Sequence, residues 1–170
     1  MASNPPLAAE EVVSTAGERE VLEAFVDYYR QVIPGKLAGL SDGDVRRRLV
    51  PSRTTLLGLV KHAAAVERNW FHHRLAQRPR EQIGANSRGD DASWEVGAEE
   101  PIADVVAEYT EACAESRRIA ARFALDDTVP HRRLGRVSLR WIYVHMIEEM
   151  ARHAGHADIL REQIDGATGD

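Results

Sequence analysis

Four stretches of the chain repeat their apolar residues with the period of an amphipathic helix, about 3.6 residues. They cover residues 17–40, 51–77, 101–125 and 138–165. No stretch shows the alternation of apolar and polar residues that is typical of a half-buried strand. The pattern therefore predicts an all-α fold, in which four helices bury their apolar stripes against one another.

Turn-forming residues mark several ends of the predicted helices. Pro34 lies inside the first stretch, where its missing N–H and its ring disturb a helix, so we expect a bend near residues 32–34. Ser41 can cap a short helical turn that follows the first helix. The fourth helix has Ser138 as its expected cap and Gly166 as its stop.

The second and third helices each open at a proline. The second opens at Pro51, with the hydroxyls of Ser52 and Thr54 as candidate caps, and the third has Pro101 in its first turn. Two loops without helical periodicity connect the last three helices: residues 78–100 and 126–137. The first of these loops is long enough to cross the bundle.

The length and composition of the chain limit the classes of protein to which it can belong. A chain of 170 residues suits one domain, which we expect to cover residues 17–166, with residues 1–16 as a flexible segment. The formal net charge of -5, without a basic block, argues against a nucleic-acid partner. No apolar run reaches about 18 residues, so we expect no membrane span. The single cysteine, Cys113, has no disulfide partner, which favours a reducing, cytoplasmic setting with Cys113 in the core.

The fourth helix places two groups with metal-binding chemistry inside its apolar stripe. On a helical wheel, Glu149 and His153 fall within the arc of apolar residues, whereas His145 and His156 fall at its edge. A buried carboxylate is costly unless it is paired, protonated or bound to a metal. Glu149 therefore needs a partner, and His153, one turn further on, projects from the same face.

The second helix adds a third such group, because His62 lies in its apolar stripe between Leu59 and Val66. Two histidines and a carboxylate on facing helices can hold one divalent ion, and with zinc such a site keeps a position open for water or substrate. The spacing leaves two alternatives open. The three groups can form a hydrogen-bonded cluster without a metal, or His145 can be a ligand, since His145-x-x-x-Glu149 also has ligand spacing.

Two segments carry a resemblance to a known family: LRWIYVHMIEEMARHAGHADILREQIDG in the fourth helix and PSRTTLLGLVKHAAAVERNWF in the second. They resemble the DinB-like, or YfiT-like, four-helix metalloprotein superfamily, and in particular an actinobacterial subgroup of mycothiol-dependent transferases. The likeness extends from Gly17 to Gly166. It implies a four-helix bundle with long crossover connections, commonly assembled as a homodimer.

The resemblance also implies a metal site and a chemistry. The family binds a divalent ion through one histidine of the second helix and a Glu/His-x-x-x-His pair of the fourth, and the matching positions are His62, Glu149 and His153. Zinc is the ion that we expect first, although nickel, iron and manganese also suit mixed nitrogen and oxygen ligands. Mycothiol is the implied thiol cosubstrate, which the ion would activate towards a small electrophile. The alternative is a non-catalytic metal-binding or stress-response protein with the same fold.

Other residues are candidates for supporting roles around this site. His145, His156 and Arg140 are expected beside the ligands or at the pocket mouth, where an arginine can pair with an acidic group. The candidates for the pocket lining are Trp70, Tyr143 and Met146. The alternatives are a solvated charge for Arg140 and ordinary core packing for the lining candidates.

Overall fold

A computed structural model describes residues 7–84 and 86–169 of the chain. Its helices, in chain order, are α1 Ala9–Val12, α2 Glu18–Gly35, α3 Asp42–Val45, α4 Leu56–Glu67, α5 Ile102–Ala120 and α6 Leu139–Asp165. A π-helical segment, Arg68–Leu75, directly continues α4. The predominance of helix confirms the all-α prediction. Within the described ranges, no helix combines the length and the apolar character needed to cross a bilayer.

The four long helices share one core. α2 packs against α6, while α4 packs against both α5 and α6. The largest fully buried side chains include Leu57, Phe71, Tyr109, Ile142 and Met146. Full burial of an apolar side chain of this size is worth roughly 1.5–3 kcal/mol. Because α6 touches both α2 and α4, groups on its apolar stripe lie near the centre of the bundle.

Three of the predicted helix ends are confirmed. Ser41 caps α3, since its Oγ accepts a hydrogen bond of 3.1 Å from the N–H of Asp44. Ser138 caps α6 in the same way, by accepting from the N–H of Trp141 at 3.1 Å. Gly166 ends α6 with a φ of 77°, a left-handed conformation that glycine adopts without a steric cost.

Two helices end earlier than predicted. α2 continues through Pro34 and ends at Gly35, short of the predicted end at Leu40. A proline so close to the end costs little, because few helical hydrogen bonds remain beyond it, and the next residues form tighter turns. α5 likewise ends at Ala120, before the predicted Leu125.

The start of α4 also differs from the prediction. Its cap is Thr55, whose Oγ1 accepts a hydrogen bond of 3.0 Å from the N–H of Gly58. The hydroxyls of Ser52 and Thr54 bond to each other instead, at 2.9 Å. A Cβ at Gly58 would lie 3.0 Å from the carbonyl oxygen of Trp94. Glycine at this position therefore lets the long loop before α5 approach the first turn of α4.

That long loop contains two short 3₁₀-helical turns, Arg80–Gln82 and Asp91–Trp94. The second turn packs against α4. Ser93 and Trp94 consequently lie beside the helix that carries His62.

A short hairpin precedes α6, in a segment for which the sequence analysis predicts only a loop. β1 Thr128–His131 pairs antiparallel with β2 Gly135–Ser138, and Val129 lies opposite Val137. Both valines are buried. The loop prediction was wrong because each strand has only four residues and the first contains a proline, so that neither shows a clear alternation.

A buried ion pair joins α2 to α4. The guanidinium of Arg30 donates two hydrogen bonds of 2.8 Å to the two carboxylate oxygens of Glu67. Arg30 is 6% exposed and Glu67 is 0% exposed. Asp27 accepts a third hydrogen bond from Arg30, at 2.8 Å. This bidentate pair lies where α4 passes into the π-helical segment, and sequence reasoning missed it.

The predicted flexible segment, residues 1–16, is described from residue 7 onward, and residues 1–6 lie outside the described residues. Its described part contains α1, which packs against α2. The N-terminal side of the bundle therefore carries a short additional helix.

Candidate metal centre

His62 on α4 meets Glu149 and His153 on α6 where these two helices pack together. Nε2 of His153 lies 3.2 Å from Oε1 of Glu149, and Nε2 of His62 lies 3.6 Å from the same oxygen. One potential ligand atom of each residue lies within 4.8 Å of those of the other two. The structure thus brings together the three residues that the sequence analysis predicts as ligands.

The two distances from Glu149 are close to those of a tetrahedral site. Zinc bonds of about 2.0–2.1 Å separate two ligand atoms in a tetrahedron by about 3.3–3.4 Å. The distances from Glu149 Oε1 to His153 and His62, 3.2 Å and 3.6 Å, lie on either side of this value.

The surroundings also favour the protonation states that metal binding requires. A hydrogen bond from His153 holds the pKa of the Glu149 carboxyl well below its usual 4.5. Burial lowers the pKa of the His62 imidazole. A carboxylate and a neutral imidazole are the forms in which these side chains bind metals.

A serine from the long loop determines which nitrogen of His62 carries the proton. Ser93 Oγ lies 2.7 Å from His62 Nδ1 and 2.5 Å from the carbonyl oxygen of Asp90. A hydroxyl has one hydrogen, and the carbonyl can only accept, so Ser93 donates to Asp90. The Nδ1–H of His62 then donates to Ser93, which leaves the lone pair of Nε2 free.

This tautomer bears on whether the three groups form a hydrogen-bonded cluster or a metal site. The free lone pair of His62 Nε2 faces the Glu149 carboxylate at 3.6 Å, and two electron-rich atoms at this distance repel unless a cation lies between them. A second proton on His62 would also relieve the repulsion, but burial disfavours the charged imidazole. The arrangement of these two groups therefore fits a divalent ion between them.

His153 directs its Nε2 to the centre, at 3.2 Å from Oε1 of Glu149. Its other ring nitrogen, Nδ1, is buried and has no hydrogen-bond partner among the described residues. An ion bound through Nε2 would not change this, so the fit of the centre to a divalent metal rests on the arrangement of His62 and Glu149 and on the chemistry of the three donor groups.

Trp94 forms one wall of the centre. Its indole stacks on the His62 ring with centroids 4.0 Å apart and an interplanar angle of 13°. It meets the His153 ring edge to face, at 5.2 Å. Sequence reasoning missed both Trp94 and Ser93, because they lie in an aperiodic loop. The one available signal was a tryptophan in an otherwise polar segment.

His145, the alternative ligand, lies outside the three-residue group found among the described residues. Its ring packs against Trp70, with centroids 4.4 Å apart, and stacks on Trp141 at 5.2 Å. Its Nδ1 lies 3.6 Å from Glu148 rather than beside Glu149. His145 therefore belongs to an aromatic cluster one turn before the centre, and Trp70 belongs to the same cluster.

The two other supporting candidates lie at different distances from the centre. His156 is exposed, and its ring lies 5.6 Å from that of His153, next to the ligands. Arg140 pairs with Glu18, at 2.6 Å, and with Asp126. It thus ties the start of α6 to the start of α2 instead of facing a pocket at the centre.

The remaining lining candidates face the core. Tyr143 is 2% exposed and donates a hydrogen bond of 2.8 Å to Glu23 on α2. Met146 is completely buried among the core residues. Met146 therefore packs in the core, whereas Tyr143 lines a cavity of about 250 Å³ that the candidate ligands do not line.

Replacing Ser93 with alanine should weaken metal binding by about 10–100-fold, the usual effect of removing a group that orients a ligand histidine. Without the hydroxyl, the proton of His62 is no longer held on Nδ1. Competition with a chromophoric chelator measures the affinity. Ser87→Ala is the matched control, because Ser87 is buried in the same loop and lies outside the three-residue group. Equal affinities for both variants and the parent protein would contradict the role of Ser93.

Comparison with known proteins gives one family assignment. The family model described as mycothiol-S-transferase matches residues 21–166. A search of curated proteins finds no match to the chain. The matched residues span most of α2 and all of α4, α5 and α6, so they include His62, Glu149, His153 and the loop that supplies Ser93. The chain belongs to the mycothiol-S-transferase family.

Proposed function

We propose that this protein is a metal-dependent transferase that joins the sulfur of mycothiol to a small electrophile. His62, Glu149 and His153 would hold one divalent ion, most suitably zinc, and leave a coordination position open. The observation that carries the proposal is the free lone pair of His62 Nε2 facing the Glu149 carboxylate. Family membership supports the choice of mycothiol as the thiol.

Each group around the centre has a defined task in this proposal. An ion bound there would supply a positive charge that lowers the pKa of a nearby thiol and favours the thiolate. Ser93 orients His62, and the Trp94 indole covers one face of that ring and keeps water from it. In the reaction, the thiol proton passes to solvent and a sulfur lone pair forms the new C–S bond. The leaving group departs with the electron pair of its bond to carbon.

The chain's own cysteine is a poor candidate for the nucleophile. Cys113 is 4% exposed, in agreement with the predicted core position. Burial raises the pKa of its thiol to about 12, so almost none of it is thiolate at neutral pH. This supports a thiol that comes from a cosubstrate.

Metal removal and replacement test the proposal. The protein is stripped with a chelator, refilled with zinc, and offered mycothiol and iodoacetamide, while thiol loss and iodide release are followed. We expect the refilled protein to exceed the uncatalysed rate and the stripped protein to match it. Cys113→Ala should behave as the parent protein does. A refilled protein that binds zinc but consumes no thiol with any electrophile would support the non-catalytic alternative.

The proposal includes three further points that rest on the resemblance and the composition. Residues 17–166 form one domain, the protein assembles as a homodimer, and it works in the cytoplasm. Light scattering after size-exclusion chromatography would measure the assembly state directly.

A further inference from the structure

Two cavities are each lined by an aromatic ring that lies beside a candidate ligand. The larger, of about 570 Å³, includes Trp94 in its wall, and this indole stacks on His62. The smaller, of about 280 Å³, includes His156 in its wall, and the His156 ring lies 5.6 Å from that of His153. The three candidate ligands themselves are not among the lining residues of either cavity.

The smaller cavity is apolar. Its walls include Val50, Ile159 and Leu160, and the only ring with nitrogen atoms among them is that of His156. The two other lining residues, Ser52 and Thr54, hydrogen-bond to each other through their hydroxyls at 2.9 Å. No charged carboxylate, lysine or arginine is among its lining residues. We name it the apolar pocket; it suits a hydrocarbon or an aromatic ring.

The larger cavity is more polar, with a mixed lining. Three arginines line it, together with Thr55 and Glu95 and with the apolar side chains of Trp94, Val96 and Ala98. Arg53 pairs with Glu95, whereas Arg48 donates to the carbonyl oxygen of Ser52 at 3.0 Å. These guanidinium, carboxylate and hydroxyl groups suit a hydrophilic ligand. We name this cavity the polar cleft.

The chain segment before α4 separates the two cavities. Val50, Ser52 and Thr54 line the apolar pocket, while Arg53 and Thr55 line the polar cleft. Because consecutive residues of this segment line different cavities, the segment contributes one wall to the apolar pocket and one to the polar cleft.

A transferase with two substrates needs a place for each of them. We propose, on the basis of the proposed function, that the apolar pocket binds the body of the electrophile. The substrates are therefore small electrophiles that carry a hydrocarbon or aromatic group. The polar cleft remains for the hydrophilic thiol. The reacting carbon would lie at the His156 side of the pocket, because the His156 ring lies 5.6 Å from that of His153.

Ile159 allows this pocket to be altered without disturbing the core, because it is 56% exposed. Val144 is the matched control, since it lies on the same helix, is 53% exposed and does not line the pocket. Each is replaced with serine. The first measurement is calorimetric binding of N-benzylacetamide, which is unreactive, in comparison with acetamide. The second is the kinetics of mycothiol alkylation by N-benzyl-iodoacetamide and by iodoacetamide, which share the carbon–iodine bond that breaks.

The proposal expects N-benzylacetamide to bind the parent protein more tightly than acetamide does. Ile159→Ser should weaken that binding about fivefold, the effect of losing a few tens of Å² of apolar contact, and Val144→Ser should leave it unchanged. KM for N-benzyl-iodoacetamide should rise by a similar factor in Ile159→Ser, with no change for iodoacetamide.

Two results would overturn the proposal: N-benzylacetamide binding no better than acetamide, or equal binding by all three proteins. An absence of turnover with both electrophiles would instead count against the proposed function, and the calorimetric result would still decide whether the pocket binds apolar groups.

Discussion

Replacing His153 with alanine should lower the affinity for a divalent ion by more than about 100-fold, beyond the usual effect of losing a supporting group. The variant loses one of the three atoms that surround the proposed ion, and Glu149 and His62 alone make a two-ligand site. Elemental analysis of protein purified without an affinity tag, followed by calorimetric titration with zinc, measures both stoichiometry and affinity. Circular dichroism shows whether the helices persist.

His145→Ala is the matched control for this variant. His145 lies on the same helix, one turn before Glu149, but outside the three-residue group of the described ranges. The control should keep one equivalent of metal. If instead His145→Ala lost the ion and His153→Ala kept it, the ligand assignment would be wrong and the alternative His145-x-x-x-Glu149 pair would take its place.

Replacing Arg30 with methionine should destabilise the fold by about 3–5 kcal/mol, because it leaves the Glu67 carboxylate buried without its partner. Glu67 is completely buried and accepts both of its side-chain hydrogen bonds from Arg30 at 2.8 Å. Urea denaturation measures the change in the free energy of unfolding, and an unchanged slope identifies it as a change in stability.

Two further variants distinguish the free-energy cost of an unpaired buried charge from the net contribution of the ion pair to stability. Arg30→Met combined with Glu67→Met should recover most of the lost stability, since replacing both members of a buried pair is often close to neutral. Arg53→Met removes an exposed pair with Glu95, in which both side chains are more than half exposed, and should cost no more than about 1 kcal/mol. If Arg30→Met changed the free energy of unfolding as little as Arg53→Met does, the stabilising role of the Arg30–Glu67 pair would be contradicted.

Regular helical geometry explains which parts of the site could be predicted. Glu149 and His153 lie on one continuous α-helix, so their angular separation follows directly from their spacing. His62 lies within α4, before the π-helical segment begins. The wheel therefore places all three side chains on apolar stripes, and the packing of α4 against α6 brings those stripes together.

The π-helical segment changes which side chains face the core at the end of the second helix. A regular α-helix continued to this point would direct His72 away from the apolar stripe. In the structure His72 is 6% exposed, and its Nε2 lies 3.2 Å from both the carbonyl oxygen of Ala112 and the hydroxyl of Ser116. The wider turn of a π-helix changes the direction in which successive side chains point, so the periodicity no longer holds after Glu67.

Contacts made by irregular segments could not be predicted from the periodicity of the sequence. Ser93 reaches His62 across the fold because Gly58 lets the backbone at Trp94 approach α4. Such a contact depends on tertiary packing and on a missing side chain, neither of which repeats along the chain. The fold and the grouping of the three candidate ligands were thus accessible from sequence, whereas the group that orients His62 required the structure.

The stacking of Trp94 on His62 gives the centre an intrinsic optical reporter. Indole fluorescence responds to charge within a few ångströms, and this ring lies 4.0 Å from a candidate ligand. The chain's two other tryptophans, Trp70 and Trp141, pack in the cluster around His145. With phenylalanine at both of those positions, the remaining tryptophan emission comes from Trp94 alone. Occupancy of the centre can then be read from a single native residue, in real time and without an added dye.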